Sequence, residues 1–386
     1  MLRAQQALLE RDLHKKMVLL TGPRQVGKTH LAMAIAADQP SAAASGKDAS
    51  SARQQTVYLN YDNFEDRAII TKMAWLPDTS LLVLDELHKM PGWKNYLKGL
   101  YDTKPVSLQI LVTGSARLET FRHSGDSLAG RFFRHRLHPL SMAEIPAADG
   151  RVLDRLMERG GFPEPYLADS LDDANRWRLH YVDGLIRTDI LDFEKVHDFK
   201  AMQTTLQLLR RRVGSPLSFS SLARDVGCAP NTIKRYVEVL EALFIVFRVT
   251  PFHRNIARSL LKEPKLYFYD TGMVLGDDGI RFENLVATAL LKHLHAVEDT
   301  KGIATSLCVL RTKEKREVDF VLVEDEVPVS MIEVKLSDSE VSASLRYFHQ
   351  RYGIPAIQLV KNLRQERLEG EIALRRAESF LTGLIA

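Results

Sequence analysis

Met17-Val-Leu-Leu-Thr-Gly22-Pro-Arg-Gln-Val-Gly27-Lys28-Thr29 joins an apolar run to a glycine-bounded loop and a lysine–hydroxyl pair, then passes into the helix-forming run His30-Leu-Ala-Met-Ala-Ile-Ala-Ala. The segment Gly22–Thr29 matches GxxxxGK[ST] without deviation, and it stands between a strand and a helix as a phosphate-binding loop requires. In such a loop, Gly22, Pro23, Arg24, Gln25, Val26 and Gly27 wrap backbone groups around the phosphates. The positive end of the following helix adds to the attraction. Lys28 is placed to reach the β- and γ-phosphates, and Thr29 to offer its hydroxyl to Mg²⁺. ATP and Mg²⁺ are therefore the expected cofactors.

Working outward, Leu81-Leu-Val-Leu-Asp85-Glu86 is an apolar strand that ends in two carboxylates. Ligands bind at the carboxyl ends of strands in open α/β sheets, so Asp85 is expected in the metal shell and Glu86 as the group that orients water. Thr56–Asp62 and Gln109–Ser115 read as further buried strands, because continuous Val/Leu/Ile runs mean that both faces of a parallel sheet are covered. The second of these ends in Thr113-Gly114-Ser115, and either hydroxyl can sense the γ-phosphate or simply shape a turn. Arg131 opens the basic stretch Arg131-Phe-Phe-Arg-His-Arg-Leu-His138, where it is either an arginine finger for a neighbouring subunit or part of a solvated strand. His135 and His138 lack an accompanying carboxylate motif and read as structural rather than metal-binding.

The chain of 386 residues exceeds what one hydrophobic core holds, so two or three domains are expected. At 45% hydrophobic and 26% charged residues, composition is that of an ordinary globular protein, and a net charge of +4 is compatible with a phosphate-rich partner without requiring one. Cys228 and Cys308 show no metal-type spacing. The N-terminus lacks the apolar core of a signal peptide and no run is long enough to span a bilayer, so a cytoplasmic protein that does not contact the membrane is expected. The Ala/Ser-rich stretch from Gln39 to Gln55 reads as a surface insertion.

Beyond Arg151 the pattern turns helical, punctuated by Gly160-Gly-Phe-Pro-Glu-Pro-Tyr166. Leu217–Gly227 and Cys228–Leu240 read as two helices joined by a short glycine turn, the helix-turn-helix pattern. Asn231, Thr232, Lys234 and Arg235 then lie at the start of the second helix, where a DNA reader contacts bases. The same pair also suits protein contacts or packing. Leu243–Thr250 and Lys265–Asp270 are β-rich runs able to pair as a wing. Further on, Glu283, Asp319, Glu333 and Lys335 follow the order of a metal-dependent phosphodiesterase. Alternation puts Glu333 and Lys335 on one face of a strand, and a hairpin partner would bring Asp319 beside them. Carboxylates so placed would hold a divalent ion, with Lys335 orienting water or stabilising charge.

Gly22–Thr29 and the stretches LLVLDELHKMPGW, LVTGSARL and LAGRFFRHRLHPLSMAEI together resemble the AAA+ ATPases. They resemble in particular a bacterial and archaeal family that joins such an ATPase to a winged-helix segment and a nuclease-like C-terminal domain. GGFPE, TIKRYVEVLEALFIVFRV, KLYFYDTG and REVDFVLV…IEVK are similar too. The resemblance implies an α/β fold with a P-loop AAA+-type parallel sheet over 1–150, a helical lid and linker over 151–202, a winged-helix segment over 203–275 and a PD-(D/E)XK nuclease-like α/β domain over 276–386. Glu283 matches the first-helix acid of that nuclease superfamily. Ring or other homo-oligomer formation is implied as well. The function this points to is Mg-ATP hydrolysis coupled to work on DNA. The rivals are a nucleotide-controlled protein-interaction switch and a branched-DNA-binding ATPase without nuclease activity.

Overall fold

The computed structural model describes residues 3–38, 55–114, 128–146, 150–192, 198–252, 263–312, 314, 316–337 and 340–385. The chain forms two compact units, Met1–His138 and Pro139–Ala386. Most of the stretch read as a surface insertion, and Ser115 with it, lies outside the described residues.

In the first unit, strands β1 (Met17–Thr21), β2 (Gln55–Asn60), β3 (Thr79–Asp85), β4 (Gln109–Thr113) and β5 (Phe132–Arg136) form a parallel sheet in the order β2-β3-β4-β1-β5. Every residue of β1 is buried, as the continuous apolar run requires of a central strand covered on both faces. The helix Lys28–Asp38 follows β1, as a crossover between parallel strands requires. On one face, Met17, Leu19, Leu82, Leu84, Ile110 and Val112 pack with Trp93, Leu97 and Leu100 of the helix Trp93–Thr103. Because β4 lies between β3 and β1, the carboxyl ends of all three strands come out side by side, and Asp85 stands in register with Thr113. This topology builds the site.

The second unit has helices Val152–Arg159, Pro163–Leu167, Leu171–Asp192 and Phe199–Arg210, then the pair Phe219–Val226 and Pro230–Ala242. Gly227 caps the first of that pair in the left-handed region at φ 80°, which glycine adopts without steric cost, and the backbone is free to turn into the second. Strands β6 (Val246–Pro251), β7 (Lys265–Phe268), β8 (Thr305–Arg311), β9 (Glu317–Glu324), β10 (Val327–Ser337), β11 (Ala356–Asn362), β12 (Arg367–Glu369) and β13 (Ile372–Arg376) follow. Strands β6 and β7 pair as an antiparallel hairpin, as read from sequence. Their hairpin is not free-standing, however. Thr250 and Pro251 of β6 pair with Cys308 and Val309 of β8, so one sheet of order β12-β13-β11-β10-β9-β8-β6-β7 runs through segments expected to be separate. Segments 151–202, 203–275 and 276–386 accordingly lie together in this unit.

The punctuation at Gly160-Gly161 has a packing cause. Gly160 has φ 68°, and a Cβ there would lie 1.6 Å from Oδ1 of Asp270, whose other oxygen accepts from Arg178 Nε at 2.7 Å. A Cβ on Gly272 would in turn strike the Arg178 guanidinium. Gly160 of GGFPE and Gly272 of YDTG thus leave room for the buried Arg178–Asp270 pair.

Candidate functional site

The P-loop carries its strain where phosphate approach demands it. Gly22 has φ 149° and a Cβ on it would meet the Leu137 carbonyl oxygen at 2.3 Å, while Gln25 and Gly27 also have positive φ. The first helical bond, Leu31 N–H to the Gly27 carbonyl, leaves the N-terminal amides of Lys28–Asp38 directed toward the loop. Lys28 Nζ donates to the carbonyls of Gly22 at 3.0 Å and Pro23 at 2.6 Å. Burial, helped by nearby Arg24, lowers the Lys28 pKa to about 8, although Glu86 and Asp85 oppose the shift.

Asp85 is the hub. Its Oδ2 accepts from Thr29 Oγ1 at 2.8 Å and from Tyr58 OH at 2.7 Å, and its Oδ1 accepts from the Thr113 hydroxyl and from the Glu86 amide. Burial and the Asp85 carboxylate raise the Tyr58 pKa, so the phenol stays a donor. Thr29 and Asp85 therefore present a hydroxyl and a carboxylate oxygen together at the mouth of the loop, an all-oxygen set that fits Mg²⁺. Glu86 has φ 56° and ψ 21°, a left-handed conformation uncommon outside glycine, and its amide also donates to the Thr113 carbonyl. That kink separates the Glu86 side chain from the direction of β3. Among the described residues its Oε2 is buried without a hydrogen bond, with Lys89 Nζ and His88 Nε2 at 3.4 and 3.6 Å.

Of the two sensor candidates, Thr113 is drawn to Asp85, and Ser115 lies outside the described residues. Arg131 makes two bonds to Asp102 of the same chain, at 2.8 and 3.0 Å, and is partly exposed. His135 is buried against Asp12 at 3.0 Å, which accounts for it structurally. Tyr58 was missed by sequence reading. Its signal is a hydroxyl-bearing residue in the strand beside β3, useful only once the β2–β3 pairing is known.

In the second unit, Asn231, Lys234 and Arg235 are exposed at the start of Pro230–Ala242 and Thr232 is half-buried, while Ile233, Tyr236, Val237 and Leu240 face the core.

The C-terminal set converges. Strands β9 and β10 form the expected hairpin, and the Val334 amide donates to Asp319 Oδ2 at 3.0 Å. Lys335 Nζ lies 2.8 Å from Glu333 Oε1. Glu283, on the helix Asp278–Lys301, accepts from Tyr267 OH at 2.7 Å. Between the acids stands a residue the sequence reading passed over. Lys265 Nζ, on a side chain 2% exposed, is 2.7 Å from Glu317 Oε1, 3.1 Å from Glu283 Oε1 and 3.4 Å from Asp319 Oδ1. Burial acts against the Lys265 charge, but Glu283, Asp319 and Glu317 together outweigh it and raise the pKa. Burial and Asp319 raise the pKa of Glu283 and of Glu333 alike. No group of three or more His, Cys, Asp or Glu side chains fit to hold a metal ion occurs among the described residues. Of the three acids expected around a divalent ion, Glu283 and Asp319 share the Lys265 ammonium, and Glu333 is paired with Lys335. The sequence signal was a lysine opening an otherwise apolar buried strand, Lys265-Leu-Tyr-Phe268.

No helix among the described residues is long and apolar enough to cross a membrane. Residues 14–146 match the family model described as an AAA domain. Residues 150–279 and 278–376 each match a domain of unknown function, DUF8612 and DUF4143. The chain is 26% identical over 347 residues to an uncharacterized protein of Mycobacterium tuberculosis, covering 88% of this chain and 75% of that one. It is 24% identical over 323 residues to an uncharacterized protein of Methanocaldococcus jannaschii, covering 71% and 66%. Among solved structures, a Thermotoga maritima RuvB variant aligns at 17% identity and a TM-score of 0.32 over 64% of this chain and 87% of that one, too loose a likeness to bear on function. The family match and the loop geometry together make residues 14–146 an AAA-type P-loop domain.

Proposed function

We propose that the AAA-type domain binds Mg-ATP and hydrolyses it, and that the helix pair of the second unit engages DNA. The observation that carries the reading is the hub at Asp85, which ties the P-loop hydroxyl of Thr29 to the end of β3 through one carboxylate. Bound Mg²⁺ would be held by Thr29 and Asp85 and would neutralise phosphate charge. Lys28 exchanges its two loop carbonyls for phosphate oxygens, an exchange favoured because phosphates suit its ammonium form better than neutral carbonyls do. Tyr58 and Thr113 hold Asp85 in one orientation. Glu86, with one oxygen lacking a hydrogen bond, is the group that orients the attacking water. Arg131 serves a neighbouring copy, for which it must leave Asp102, so a homo-oligomer is part of the proposal.

On the DNA side, exposed Asn231, Lys234 and Arg235 above a packed face have the placement of a recognition helix. The Lys265 cluster favours a winged-helix and nuclease-like region that binds without cutting. The test is ATP turnover with and without duplex, single-stranded and branched DNA, comparing the native chain with Glu86→Gln. Turnover stimulated by DNA and slowed by about two to four orders of magnitude in Glu86→Gln is expected. Turnover indifferent to every DNA points instead to a nucleotide-controlled protein-interaction switch, and unchanged turnover in Glu86→Gln removes the catalytic assignment.

A further inference from the structure

Around Lys265, four carboxylates meet three cations. Glu283, Glu317, Asp319 and Glu333 carry the negative charge. Lys265 meets the first three, Arg311 Nε is 2.5 Å from Glu317 Oε2, and Lys335 is paired with Glu333. The Tyr267 hydroxyl also donates to Glu283 and the Val334 amide to Asp319, while Oε2 of Glu333 is buried without a hydrogen bond among the described residues. Gly214 closes the cluster on another side, since a Cβ at its φ of 72° would come within 3.0 Å of Glu283 Oε1. A divalent ion needs several oxygens at about 2.0–2.6 Å with free lone pairs, and binding here would bring two more charges beside a buried ammonium.

We propose that Lys265 is the resident cation of this cluster. Its ammonium group takes the place of a cation among Glu283, Glu317 and Asp319 and fastens β7 to β9 and to the helix Asp278–Lys301 without metal. The lysine performs the neutralising part of a metal's work, but it has no vacant coordination position and cannot activate water as a bound ion does. The site is therefore a fixed structural junction between the β6–β7 hairpin and the C-terminal strands. This inference is independent of the ATP site.

Removing the ammonium should open a metal site, since three half-buried carboxylates would otherwise remain together without their shared cation. Mn²⁺ binding is measured by electron paramagnetic resonance on nucleotide-free full-length protein. The variants are Lys265→Ala, Lys265→Met, Asp319→Asn and the double variant Lys265→Ala/Asp319→Asn. Native protein and Asp319→Asn should bind Mn²⁺ alike, while Lys265→Ala gains a site tighter by on the order of tenfold or more that the double variant loses. A stoichiometric Mn²⁺ in the native chain that Asp319→Asn removes overturns the proposal, as does a folded Lys265→Ala that gains no site. If neither Lys265 variant folds, the native and Asp319→Asn pair decides alone. Retained ATP turnover in Lys265→Ala would distinguish this outcome from any failure of the ATPase reading.

Discussion

Lys28 offers a quantitative test, because burial opposes its charge more strongly than Glu86 and Asp85 support it. In the folded chain its pKa is lowered from 10.5 to about 8, chiefly by burial. The sign follows directly. Between about pH 8 and 10.5 the folded protein has released this proton while the unfolded chain keeps it, so the Lys28 contribution to stability improves as pH rises through that window. Below about pH 8 both states hold the proton and the cost of the buried charge is fully present, on the order of 3 kcal/mol for the shift. ATP phosphates favour the ammonium form, so binding restores the proton. At pH 9 about nine-tenths of empty sites carry neutral Lys28, against about one-tenth at pH 7. Calorimetry of Mg-ATP binding in buffers of different ionisation enthalpy should therefore record uptake of about 0.9 proton at pH 9 and about 0.1 at pH 7. Equal uptake at the two pH values refutes the argument that burial holds Lys28 near neutrality.

Arg131→Ala should bind ATP yet hydrolyse it poorly, whereas Asp102→Ala should hydrolyse normally. Equal behaviour of the two in a turnover assay would reduce Arg131 to a partner of Asp102. Gly160→Ala should cost about 3 kcal/mol or more in denaturant unfolding, because the new Cβ enters the Arg178–Asp270 pair at a positive φ. A loss below about 1 kcal/mol would mean that the pair relaxes easily. Removing Lys234 and Arg235 together should lower the slope of log affinity for DNA against log salt by about 2, and an unchanged slope would place DNA elsewhere.

Much of the first unit was legible because buried parallel strands are written as uninterrupted apolar runs. Strand β1 begins and ends at Met17 and Thr21 as read, and Asp85 closes β3. The beginning of β2 at Gln55 was not legible, since that residue closes a stretch without periodicity. Thr113 and Tyr58 belong to the Asp85 hub only through strand register, which no local pattern contains. The C-terminal acids were recognised by type and order, and the hairpin of β9 and β10 brought Asp319 to Glu333 and Lys335 as alternation required. Their neighbour Lys265 was passed over because it lies 18 positions before Glu283 and 54 before Asp319. A lysine within an apolar strand is a question about partners, and the partners here are distant in sequence. The glycines of GGFPE were read as punctuation for the same reason, since Asp270 lies far along the chain.

The central claim is that Lys28 and its loop bind the phosphates of ATP. The most direct measurement is calorimetric titration of Mg-ATP into the native chain and into Lys28→Ala at pH 7. The account predicts one site per chain in the native protein and loss of measurable tight binding in Lys28→Ala with the fold intact by circular dichroism. Equal ATP affinity in the two proteins would contradict it.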